Sequence, residues 1–184
     1  SVMFRAALQD AFSAEHLDRV FARSAQQQRD GDLPFSQVAE VLGLAVLKIR
    51  PSVNAAYKAK KEELGISIKS VYNKLSGIEV EVSREMVRDS AMRLAEIQEA
   101  MGYKSRPLVA GYQTRILDGK HLNCTERRLM PLRDLNAAPL PGQALAVLDA
   151  DQHLVSDVIP CEDAYAQERS LTDQILATVN KNDL

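Results

Sequence analysis

The 184 residues carry a net charge of −2 with 46% hydrophobic and 26% charged side chains, an ordinary globular balance that excludes a whole-chain polycation for nucleic acid. The length allows one large domain or two small ones, either with a real core. No apolar run nears the roughly 20 residues that span a bilayer, and no basic-then-apolar leader opens the sequence, so the expected setting is cytoplasmic, without a membrane.

Residues 1–102 read as helices almost throughout. Val2–Phe12 is apolar at helical spacing, and Ser13 suits an N-cap for Ala14–Gln28, with Leu17, Val20 and Phe21 on one face. After the Asp30-Gly31-Asp32 turn, Pro34 suits the first turn of a helix that runs to about Ile49, where Pro51 stops it. Ser52 caps Val53–Leu64, and Gly65 closes that helix. Ser67 caps a short helix to about Leu75, and Ser83 is expected to cap the last one, to about Met101. At Tyr103 the pattern changes. Residues 103–110 read as a linker, and 111–184 begin a second domain with strand candidates Val109–Leu117, Gln143–Leu148 and His153–Ile159. Gly119 is expected to break the first strand, leaving Asp118 at its end. Helical spacing returns over Ala164–Val179. The fold class is α+β. Three strands and one helix make a thin domain with an open sheet edge, so the second domain is expected to be incomplete.

Charge is unevenly placed. Lys48, Arg50, Lys58, Lys60, Lys61, Lys69 and Lys74 face only Glu62 and Glu63 over residues 48–74, an excess of +5, whereas residues 107–184 sum to −4. That asymmetry suits a module that touches a polyanion, followed by one built around carboxylates. Val53–Leu64 and Ile68–Leu75, joined across Gly65, outline a helix-turn-helix. Its second helix carries Lys69, Tyr72, Asn73 and Lys74 where a major-groove reader would place base and phosphate contacts. An ordinary helical hairpin with solvated lysines fits the same pattern.

Asp118 is an acid beside a loop rich in arginine (Arg127, Arg128, Arg133), which suits a hard cation next to a phosphate backbone. On spacing alone, an Asp-Gly turn, a very common strand ending, is the favoured explanation. His121-x-x-Cys124, with Cys161, lacks the fourth ligand a zinc site needs. The two thiols lie far apart and give no disulfide framework.

Several strings resemble one family. Thr114-Arg-Ile-Leu-Asp118-Gly, Thr125-Glu-Arg-Arg-Leu, Leu132-Arg-Asp, Ala138-Pro-Leu-Pro-Gly142 and Asp157-Val-Ile-Pro-Cys-Glu-Asp163-Ala-Tyr-Ala-Gln-Glu168-Arg-Ser closely resemble bacterial DDE transposases of the insertion-sequence-four group. So do Arg50-Pro-Ser-Val-Asn-Ala-Ala-Tyr57 and Ser70-Val-Tyr-Asn-Lys-Leu75. The resemblance implies a helical DNA-binding region followed by a ribonuclease-H-like domain. In that domain two aspartates and a glutamate hold two Mg2+ or Mn2+ ions that cleave and join DNA at insertion-sequence ends.

It places Asp118 at the first catalytic acid and gives Arg127, Arg128 and Arg133 phosphates of the transposon end to contact. It also implies a homodimer in a synaptic complex, leaving Glu168 without an assigned role. The second acid belongs on a fourth strand, and the glutamate lies further on, beyond Leu184. The 184-residue chain is therefore expected to bind DNA without cutting it. The alternative is a non-catalytic helix-turn-helix DNA-binding protein or truncated transposition repressor.

Overall fold

The computed structural model describes residues 9–28, 31, 33–123, 140–161 and 163–184. The chain is mixed α+β, with six helices and a three-stranded antiparallel sheet among the described residues. It divides into two compact units, Ser1–Met86 and Val87–Leu184. The division falls inside the helix Val80–Ala100.

The first unit holds α1 (Ala14–Ser24), α2 (Phe35–Val46), α3 (Val53–Leu64), α4 (Ile68–Gly77) and the start of α5 (Val80–Ala100). Local chemistry sets most of these ends. Ser52 accepts from the Ala55 N–H at 3.2 Å and Ser67 from the Ser70 N–H at 3.1 Å, each satisfying an otherwise orphaned helix donor. Gly65 ends α3 at φ 63°, a left-handed conformation that favours glycine. Pro34 has no side chain able to cap α2, and Asp18 of α1 supplies the cap from across the fold. Its carboxylate accepts from the Ser36 N–H at 2.7 Å and the Ser36 hydroxyl at 2.8 Å.

Two apolar clusters follow from the faces of α2. Val38 and Val41 pack with Ala56, Tyr57, Leu64 and Val71 of α3 and α4. Phe35 packs with Leu17 and Phe21 of α1 and Val82 of α5, and its ring stacks on Phe21 at 4.8 Å between centroids. Ile78 touches both clusters.

The second unit contains the rest of α5, β1 (Arg115–Leu122), β2 (Gly142–Asp149), β3 (Leu154–Cys161), a 3-10 turn at Glu168–Leu171 and α6 (Thr172–Leu176). The strands pair in order β1-β2-β3, with Asp118 opposite Ala146 and a register shift between Val147 and Leu148. Opposed residues share a face. One face carries Leu145, Val147, Asp149, Asp157 and Ile159, and Leu171 and Ile175 cover part of it. The other face carries Ile116, Asp118, Lys120 and Leu122 beside Leu148, Val155 and Val158, and stays open among the described residues.

Several expected boundaries move. The first strand is Arg115–Leu122, not Val109–Leu117, and Gly119 does not break it but pairs opposite Leu145. Asp118 therefore sits in mid-strand. The last N-terminal helix starts at Val80, so Ser83 lies inside it and is not its cap. The expected helix over Ala164–Val179 shrinks to one 3-10 turn and five α-helical residues. His153 sits in the hairpin turn at φ 58°, outside the strand. Val2–Leu8 of the expected first helix lies outside the described residues. No helix of the described residues is long and apolar enough to cross a membrane.

Candidate carboxylate site and nucleic-acid face

The α3–α4 pair builds the first candidate face. Helical geometry puts residues 69, 72, 73 and 76 on one stripe of α4 and 71, 74, 75 and 78 on the opposite one. Lys69, Tyr72 and Asn73 are exposed as expected. Lys74 is not. It falls on the stripe of Val71, Leu75 and Ile78, is 9% exposed, and sets its Nζ 4.2 Å from the centroid of the Phe21 ring. An ammonium held there is a packing group, so the outward face of α4 is Lys69, Tyr72 and Asn73.

The carboxylates of the second unit fall into two sets. Asp118 is exposed on the open face of the edge strand β1. Asp149, Asp151 and Asp157 are buried, and each is matched to donors. Asp157 receives a two-pronged ion pair from Arg88, Nε to Oδ1 and Nη2 to Oδ2, both at 3.0 Å. Asp149 accepts from the Asp151 and Gln152 N–H groups at 3.1 and 2.9 Å and from the Gln113 side chain, shaping the hairpin turn. Asp151 reaches the Leu108 and Thr114 N–H groups, both at 2.9 Å, and ties the linker to the sheet. These acids fold the domain; none shares the Asp118 face. Among the described residues, no group of three or more His, Cys, Asp or Glu side chains is placed to hold a metal ion. One exposed carboxylate does not fit a catalytic metal pair.

The Leu108 N–H, then the Thr114 N–H, hold the Asp151 carboxyl below its ordinary value of 3.8. Its contribution to stability is therefore present above that ordinary value and is lost as pH falls through the lower folded value. Hydrogen exchange should show the Leu108 and Thr114 amides protected at neutral pH and opening only in strong acid. Asp151→Asn should leave both weakly protected at every pH.

The edge of β1 carries the most telling geometry. Residues 182–184 run beside it: Gln113 N–H donates to Asn182 O at 2.9 Å, Leu184 N–H to Gln113 O at 2.9 Å, and Arg115 N–H to Leu184 O at 3.0 Å. Gln113 and Asp183 form a parallel bridge. Because β3 is also parallel to β1, the path from β3 through α6 to this segment is a helical crossover across the sheet. Arg115 secures it, donating from Nε to Asp183 at 2.9 Å and from Nη1 to the Ser156 hydroxyl at 3.0 Å. Burial raises the Asp183 pKa, but the Asn180 N–H and Arg115 outweigh it and hold the carboxyl below its ordinary value. No local pattern marks Arg115 as the anchor of this segment, although it lies within Thr114-Arg-Ile-Leu-Asp118.

Arg127, Arg128, Arg133, Cys124 and Glu162 lie outside the described residues, as does the side chain of Glu168. No protein-family model, curated protein or solved structure matches the chain.

Proposed function

We propose that the chain is the DNA-binding part and the opening of the ribonuclease-H-like domain of a DDE transposase of the insertion-sequence-four group. The reading rests first on the strings quoted above. The observation that carries it further is the parallel segment at the edge of β1. Continued in the register of the Gln113–Asp183 bridge, a fourth strand would bring position 188 opposite Asp118, on the same open face. A second acid there would stand next to the first, where the resemblance requires it. Mg2+ or Mn2+ would then supply the charge that stabilises attacking and leaving oxygens on phosphorus. The described residues alone do not form that site, and the 184-residue chain binds without cutting.

DNA binding in this reading belongs to the first unit, with α4 in the major groove and Lys69, Tyr72 and Asn73 facing it. Synapsis of two DNA ends by a homodimer follows from the resemblance. A second reading, a non-catalytic DNA-binding protein, draws on the finding that no group of three or more His, Cys, Asp or Glu side chains among the described residues is placed to hold a metal ion. The two separate on one assay: metal-dependent nicking of duplex DNA by a protein continued past Leu184, with and without Asp118→Asn. Asp118 is exposed, so Asp118→Asn should leave stability within about 0.5 kcal/mol of the parent. A lost activity then reports chemistry and not folding.

A further inference from the structure

The connection between α2 and α3 is an unusual surface. Val46, Leu47 and Ile49 are 66%, 72% and 58% exposed, the most exposed large apolar side chains described in the first unit, and they stand together in sequence. They are not on a loose segment. Leu47 N–H donates to Gly43 O at 2.9 Å, Lys48 N–H to Ala45 O at 3.1 Å and Arg50 N–H to Leu44 O at 2.9 Å. Lys48 is held at φ 60°, a left-handed conformation that a lysine adopts only under constraint. The result is a stiff projection, Leu-Lys-Ile-Arg-Pro, in which exposed apolar and cationic side chains alternate with no acid among them.

We propose that this projection is a second DNA element: an apolar wedge, Leu47 and Ile49, that enters the minor groove of duplex DNA and opens a base step. Lys48 and Arg50 hold the phosphates on either side. The inference rests on the DNA-binding reading and adds a kink to it. Proteins that bend duplex DNA insert leucine or isoleucine between base steps in this way, and the bend brings more protein surface into contact. Without the buried Lys74, residues 48–74 still carry six Lys/Arg against Glu62 and Glu63, an excess of +4 that matches a polyanion.

The spacing agrees. The projection leads into α3, whose 12 residues separate it from the turn before α4. At 1.5 Å per residue that is about 18 Å. One turn of duplex is about 34–36 Å, so half a turn is about the length of α3. With α4 in the major groove, half a turn along the same side presents the minor groove.

The test uses the 184-residue chain and short duplexes in which 2-aminopurine occupies successive steps, TA among them because it unstacks readily. Binding should raise the fluorescence at one step and leave the others unchanged. Leu47→Ser with Ile49→Ser should abolish that rise and weaken binding about tenfold while leaving the salt slope intact. Lys48→Ala with Arg50→Ala should flatten the slope by about two units, one per lost phosphate contact. Tight, salt-dependent binding with no unstacked step, or a serine variant that unstacks like the parent, overturns the wedge but spares the DNA-binding reading. No binding by the parent chain overturns both. A serine variant that changes only the oligomeric state assigns the projection to protein contacts and also overturns it.

Discussion

Phe21→Ala is expected to destabilise the N-terminal unit by about 3–5 kcal/mol, the usual cost of truncating a buried aromatic ring. Phe21 is 1% exposed. One face of the ring stacks on Phe35, and Lys74 approaches it at 4.2 Å. Alanine would leave a cavity against Leu17 and Val82 and take away the ring that the Lys74 ammonium sits against. Native proteins hold only about 5–15 kcal/mol in all, so the first unit should melt well before the second in urea. Far-ultraviolet circular dichroism would follow it as an early loss of helix. Phe12→Ala, at an exposed position, is the control and should shift the midpoint little. A parent-like transition for Phe21→Ala would contradict the packing described for α1, α2 and α5.

The largest expected effect on binding is at α4. Replacing Lys69, Tyr72 and Asn73 together with alanine should weaken duplex binding by at least about two orders of magnitude, since each good base contact discriminates by about 1–3 kcal/mol and 1.4 kcal/mol is tenfold. Fluorescence anisotropy at one fixed salt concentration measures it. Lys74→Met is the informative partner. It keeps the aliphatic stem on the apolar stripe and removes the charge, so binding should stay within about twofold of the parent while the melting behaviour changes. The opposite pattern, a silent triple variant and a damaging Lys74→Met, would turn α4 around.

What could be read directly from the sequence was local. Ser52, Gly65 and Ser67 mark helix ends because a hydroxyl or a left-handed glycine acts on neighbours a few residues away. The hairpin between β2 and β3 is local for the same reason, its Asp149 bonding the next turn amides. Lys74 carries its own signal: its spacing to Val71, Leu75 and Ile78 puts it on the apolar stripe, although its residue type alone suggests an exposed cation.

Gly119 suggests a strand break, but glycine permits a turn without requiring one. Opposite Leu145 it has a partner strand and stays in the ladder. The rest depended on distance along the chain. Asp18 caps a helix eighteen residues on, Arg88 meets Asp157 across 69 residues, and Arg115 meets Asp183 across 68. No local pattern encodes those pairings. The candidate site divides the same way: the strings around Asp118 single it out as a candidate, but its open face and the parallel segment at its edge are properties of the sheet.

The most direct test of the account concerns Asp118 itself. A chain continued past Leu184 far enough to supply a fourth strand and the following helix should nick duplex DNA when Mn2+ is added. Asp118→Asn should abolish nicking without weakening DNA binding or lowering the melting temperature, and the 184-residue chain should bind and never nick. Metal-dependent cleavage that survives Asp118→Asn, or cleavage by the 184-residue chain alone, would contradict the assignment of Asp118 as the first acid of a metal-binding set.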